Sequence, residues 1–170
     1  CGSGITAVNI AAANIMAGME DLSIGGGTEM MSLSGQFKRF PIMDQGNSHL
    51  RQLHPQTHQG LCADTIATLE GIPREALDEL AMVSQQRADH AIKNGHFERS
   101  LIPVYNDDGS LALDHEEFPR PQTTAQGLAD LKPSFAALAD YALDESGLTF
   151  RGLMQQKYPG LDINHVHHAG

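Results

Sequence analysis

Apolar residues crowd the first seventeen positions so closely that only a narrow polar edge remains. In CGSGITAVNIAAANIMAG, the residues Ile5, Val8, Ile10, Ala12, Ile15 and Met16 are interrupted by Asn9 and Asn14. This pattern predicts a helix over 5–17 that is buried inside a larger assembly, with Gly18 as its stop. DLSIGGG then reads as a short buried strand entering a glycine loop. Residues 1–34 so form a helix-then-strand unit of an α/β sheet, and one such unit cannot make a sheet alone. Residues 35–59 carry no period and are rich in His and Gln, as functional loops and lids of this length often are. Periodicity returns with GLCADTIATLEG, a short helix, and with a second helix over 72–95. Pro73 suits the first turn of that second helix and Gly95 its stop. Leu77, Leu80, Ala81, Ala88, Ala91 and Ile92 place an apolar stripe along one of its faces. SLIPVYNDDGSLALDHEEF predicts a hairpin turning at 106–109. TTAQGLADLKPSF predicts a short helix capped by Thr123 or Thr124, and INHVHHAG reads as a strand interrupted in mid-run. There is no internal repeat and no low-complexity segment.

Composition narrows the function classes. The chain has 170 residues, 41% of them hydrophobic and 19% charged, which suits one globular domain and argues against disorder. Eleven Lys and Arg face twenty-one Asp and Glu, a formal charge of −10. That field repels phosphate backbones and anionic membrane surfaces, so nucleic acid is excluded as a partner. An anionic ligand must instead be met by local basic residues or helix N-termini. The two cysteines, Cys1 and Cys62, build no disulfide framework, which favours a reducing cytoplasmic or organellar compartment. Asn9 and Asn14 interrupt the most apolar stretch, so no run reaches the roughly 20 residues that span a bilayer.

The strongest chemical candidate is Cys1. A cysteine just ahead of a helix meets the unpaired N–H groups and positive end of the helix dipole, which favour the thiolate. Gly2 and Gly4 leave room for backbone to approach an acyl group closely. This is what an acyl-accepting nucleophile requires; the competing reading is a small buried residue at a helix start. His165, His167 and His168 invite a metal site, because i and i+2 share one face of a strand. Without Cys or carboxylate ligands at suitable spacing, a solvated strand edge is preferred. NDDG lacks the alternating ligands and final Glu of a calcium loop and reads as a turn. Cys62 reads as a small core residue.

Two blocks carry a family resemblance. CGSGITAVNIAAANIMAG followed by DLSIGGGTEMMS resembles the nucleophile segment of the thiolases, in which Cys-x-Ser-Gly precedes a helix, a strand and Gly-Gly-x-Glu-x-Met-Ser. Cys1, Ser3 and Gly4 match the first block; Gly26, Gly27, Glu29, Met31 and Ser32 match the second. HQGLCADTIATLEGIPREALDELAMVSQQRADHAI is similar to the helical part of that family's loop domain, and GHFERSLIPV and PRPQTTAQGLADLKPSF continue in family order. The resemblance implies an α/β fold, part of a layered αβαβα arrangement, with a mostly helical loop domain containing a small hairpin. Residues 1–34 would belong to the core and 35–170 to a loop domain truncated at its C-terminal end. It implies an acyltransferase in which Cys1 takes an acyl group from acyl-CoA or acetyl-CoA as a thioester, in Claisen condensation or thiolytic cleavage. His58 falls where the family lines the pantetheine region, although Gln59 stands where Met is usual. Arg120 falls near a basic residue that contacts the CoA nucleotide, and Ala169 and Gly170 begin an AGN turn flanking the pantetheine. No resident cofactor is implied, CoA thioester being the substrate, and a homodimer or homotetramer is expected.

The family's Asn-Glu, Gly-His-Pro and Cys-Gly-Gly-Gly segments, which supply the histidine base, the oxyanion site and the second cysteine, are absent from this sequence. A nucleophile without these groups loses most of its catalytic power, so the 170 residues alone are expected to be an incomplete, inactive piece of a longer chain. The first-position cysteine also raises an N-terminal nucleophile hydrolase, but such enzymes begin on a strand. A non-catalytic oligomerisation or binding fragment is the third reading.

Overall fold

The computed structural model describes residues 2–28, 30–34 and 42–168. The chain divides into two compact units, Cys1–Phe40 and Pro41–Gly170.

The first unit is built on helix α1, Ser3–Met16. It ends at Gly18, whose φ of 69° is one that side chains disfavour. There the amide of Gly18 donates to the Ile15 carbonyl and that of Met19 to Asn14, both at 3.0 Å, closing a Schellman motif. The chain then returns against α1 with Gly25 on its backbone. A Cβ at position 25 would lie 2.6 Å from the Ala7 carbonyl oxygen and 2.8 Å from the Val8 Cα, so only glycine permits this approach. The strand predicted here is not formed among the described residues. A strand exists only when a neighbour takes up its N–H and C=O groups, and no described segment pairs with it. The single turn α2, Met31–Ser34, follows. Of α1 only Ala11 is buried, while Ile5, Ile10 and Met16 are 73, 58 and 88% exposed. The burial expected of this helix is therefore not supplied by the described residues.

The second unit starts with a short helix, α3, Ser48–Leu53, inside the stretch the sequence left irregular. Asn47 caps it by accepting the Leu50 amide at 3.0 Å. Helices α4, Gln59–Glu70, and α5, Arg74–Lys93, both end in left-handed glycines, Gly71 and Gly95, as Gly18 does. The α5 stripe is only partly real: Leu77, Ala81, Ala88 and Ala91 are half-buried, Leu80 and Ile92 lie exposed, and the one fully buried residue is Asp78. The hairpin forms as read. Strands β1, Val104–Tyr105, and β2, Leu111–Leu113, pair antiparallel, Val104 with Leu113 and Tyr105 with Leu111, with an irregularity between. Asn106 closes the turn on the Ser110 carbonyl at 2.9 Å, and Gly109 supplies the positive φ. Thr124 caps α6, Ala125–Ala129.

The pattern predicts no helix after this point, yet two form: α7, Ala136–Ala139, and α8, Phe150–Lys157. These carry the core. Phe150 and Leu153 of α8, Ala139 of α7 and Leu143 meet Leu61 of α4 and Ile42, with Phe135, Leu138, Tyr141 and Leu148 packed around them. Beside this core, Arg51 is buried and held by Asp44 in two hydrogen bonds of 2.7 and 2.9 Å, and by Asp144 at 2.5 Å. Residues 161–168 cross the unit without entering a sheet, so the strand read in INHVHHAG is not formed either. No helix among the described residues is long and apolar enough to cross a membrane.

Candidate functional site

Cys1 lies outside the described residues, but the helix that follows it is well defined. Gly2, which has no side chain to cap with, is the N-cap of α1, and no acidic residue occupies the first turn. The first amides of any α-helix have no carbonyl partner within the helix. A wide depression of about 490 Å³ runs along these turns, lined by Gly2, Ser3, Thr6, Ala7 and Ile10. Ala169 and Gly170 also lie outside the described residues.

His58 is the N-cap of α4. Its backbone is extended, and its Nδ1 accepts the Gly60 amide at 3.1 Å. A ring nitrogen that accepts a backbone N–H carries no proton, so the neutral ring holds its hydrogen on Nε2. The ring lies 5.6 Å, centroid to centroid, from Phe135 and 6.3 Å from Phe150. One turn on, Cys62 is half-buried and free, and burial pushes its thiol pKa up.

Arg120 is exposed, at the edge of a cleft of about 240 Å³ between α5 and α6. Ala81 and Leu128 line its apolar side, and Gln122, Thr123 and Thr124 its polar rim. Gln85 fixes this loop to α5 by accepting the Arg120 amide at 2.6 Å. His58 and Arg120 thus belong to one unit but stand on different features of it, the start of α4 and the α5–α6 cleft.

The three C-terminal histidines do not form a solvated edge. His165, His167 and His168 are 14, 28 and 4% exposed in their side chains, and each meets a buried aspartate. Asp64 of α4 is wholly buried. Its Oδ1 accepts from the Val166 amide at 3.1 Å, the His167 amide at 3.0 Å and His167 Nδ1 at 2.7 Å, while Oδ2 pairs with His165 Nδ1 at 2.8 Å. Burial pushes this carboxyl's pKa up, but the four hydrogen bonds outweigh it and hold it below the ordinary value. Asp78 of α5 pairs with His168 Nε2 at 2.6 Å and Arg74 Nε at 2.7 Å. It too ends below the usual range, its burial outweighed by these two partners. Thr68 completes the docking by accepting the Asn164 amide at 2.9 Å. Among the described residues no group of histidines, cysteines and carboxylates is arranged to hold a metal ion. Sequence reasoning passed over Asp64 and Asp78, though a signal was there. Each sits on the apolar side of its helix, near Leu61 and Ala67 or Leu77 and Ala81, where a carboxylate needs a partner.

Comparison with known proteins adds an independent finding. The sequence family described as thiolase, N-terminal domain, matches residues 1–139. An acetyl-CoA acetyltransferase of Chromobacterium violaceum is 38% identical over 149 residues, covering 79% of this chain and 38% of that protein. The cytosolic acetyl-CoA acetyltransferase of Rattus norvegicus is 33% identical over 147 residues, covering 79% and 37%. A 3-ketoacyl-CoA thiolase of Saccharophagus degradans is 38% identical over 140 residues, covering 79% and 35%. The chain therefore spans well under half the length of these relatives. Among solved structures, the dimeric peroxisomal thiolase of Saccharomyces cerevisiae superposes with a TM-score of 0.63 at 26% identity, over 92% of this chain and 43% of that one.

Proposed function

Because this chain belongs to the thiolase family, we propose that it is the nucleophile and loop-domain portion of an acyltransferase that moves acyl groups between CoA thioesters. The observation that carries this reading is the family match running from Cys1 itself through residue 139, with Cys1, Ser3 and Gly4 in the nucleophile pattern. In the proposed step the Cys1 thiolate attacks the thioester carbonyl carbon. A bond forms from Sγ to the acyl carbon, the carbon–sulfur bond to CoA breaks, and CoA leaves as the thiol after taking up a proton. The helix that begins at Ser3, with no acidic residue in its first turn, supports this role, since the positive end of the helix dipole favours a thiolate next to it. A hydrolase with a strand-borne terminal nucleophile would not place a helix at Ser3.

Residues 1–34 are assigned to the catalytic core and 35–170 to the loop domain. His58 is assigned to the pantetheine region as an Nε2–H donor, Arg120 to the nucleotide end of CoA, and Ala169 and Gly170 to the turn beside the pantetheine. The histidine base, the oxyanion site and the second cysteine come from segments other than these 170 residues, so this stretch by itself is inactive. The active species is a homodimer or homotetramer in the cytosol or an organelle, with relatives named for both cytosol and peroxisome.

The test is mass spectrometry of the full-length protein before and after acetyl-CoA. The expected result is one acetyl group, released by hydroxylamine, on the tryptic peptide containing Cys1 and absent in Cys1→Ser. Acetylation elsewhere, or none in a protein that binds acetyl-CoA, overturns the assignment.

A further inference from the structure

Two contacts on the first turn of α4 decide what the His58 ring can do. Its Nδ1 is taken by the Gly60 amide at 3.1 Å, so the only hydrogen-bonding atom left is Nε2, which has no partner among the described residues. The ring is flanked by Phe135, tilted by 39° at 5.6 Å, and by Phe150, edge-on at 6.3 Å. Phe135 reaches this position only because residue 60 is glycine. A Cβ there would fall 2.4 Å from the Phe135 Cδ1 and Cγ and 2.5 Å from Cδ2, inside the ring. Gly60 therefore serves twice, giving its amide to Nδ1 and its empty side-chain space to Phe135. Phe135 is itself held by the core of the second unit, into which it packs beside Leu61 and Phe150.

We infer that Phe135, seated on Gly60, is a positioning residue that locks His58 as an Nε2–H donor, so that His58 offers a hydrogen bond to a carbonyl oxygen and does not act as a base. The lock follows from two independent constraints. The hydrogen bond fixes which nitrogen is bare, and the two aromatic rings limit rotation about the bond that would exchange the nitrogens. A ring N–H is the complement of a thioester or amide carbonyl, both of which an acyl-pantetheine ligand presents. The ligand half of this inference rests on the function proposed above; the lock does not.

The experiment uses the full-length protein with 15N-labelled histidine, the His58 signals being assigned by their loss in His58→Gln. At alkaline pH the wild type shows a protonated Nε2 and a bare Nδ1. Phe135→Tyr, which keeps the ring, preserves this pattern, whereas Phe135→Leu and Gly60→Ala give mixed tautomers. In parallel, Phe135→Leu and Gly60→Ala raise the KM for acetyl-CoA about fivefold or more with kcat held within about twofold, and Phe135→Tyr restores the wild-type KM. A bare Nε2 in the wild type overturns the lock, as does a Phe135→Leu protein in which tautomer and KM are both unmoved. A wild type that shows the lock but is not saturated by any CoA thioester sustains the positioning role of Phe135 and overturns only the thioester reading of the site.

Discussion

At the scale of single residues, the buried acids organise the second unit more than its apolar stripe does. Asp64 gathers four hydrogen bonds from residues about one hundred positions away. Arg51 is enclosed by Asp44 and Asp144, and the Arg51 hydrogen bond holds the Asp44 carboxyl pKa below its usual value against the opposing effect of burial. A carboxyl whose folded pKa is depressed stabilises the fold fully above its unfolded value of about 4 and loses that contribution as pH falls through the folded value. Asp44, Asp64 and Asp78 all shift in this sense. Urea midpoints measured at a series of pH values should therefore fall steeply below about pH 4 in the wild type. Asp64→Asn should be less stable at neutral pH by roughly 2–3 kcal/mol and should show a shallower acid limb, because the group that titrates is gone. An acid limb unchanged by Asp64→Asn would show that its carboxylate is not the group being titrated. Nothing local in the sequence announces these pairings; a buried Asp declares only that it needs partners.

Among the elements, the helix stops were legible and the packing between elements was not. Gly18 and Gly95, read as stops, and Gly71, not so read, end their helices because a left-handed residue there turns the chain and satisfies the last carbonyls, a rule that acts within six residues. The turn at 106–109 and the Thr124 cap are equally local. By contrast, Gly25 and Gly60 look like ordinary glycines in sequence, and only the structure shows what occupies their missing side-chain space. Gly25→Ala sets a methyl against the Ala7 carbonyl with no flexible side chain to yield. It should cost about 1–3 kcal/mol by overpacking, read as faster hydrogen exchange in α1, whereas Gly26→Ala, which meets nothing within 4 Å, should leave α1 unchanged. Equal effects of the two substitutions would argue against a backbone contact at position 25. Helices α7 and α8 escaped the pattern because they are short, four and eight residues, and their apolar positions are spent on one cluster.

For the whole molecule, the two units differ in what they bury. The second encloses Leu61 and Phe150 completely, while the first leaves Ile5, Val8, Ile10 and Ile24 between 51 and 93% exposed. Local stability follows buried contact, so in the chain of these 170 residues amides of 61–67 and 150–157 should exchange slowest and those of α1 and the β1–β2 hairpin fastest. In the full-length protein α1 should join the slow class; α1 amides already as protected in the 170 residues alone would show that its apolar surface needs no further cover. The sequence by itself determined the family, the order of the principal helices, their stops and the hairpin, because motifs, caps and turns act through neighbours in the chain. Only the tertiary structure decided that the C-terminal histidines clamp to Asp64 and Asp78, that Phe135 sits over Gly60 beside His58, and that Arg51 is interior. Those outcomes depend on groups far apart in sequence meeting in a space from which water is excluded, where each buried charge or ring must find its partner.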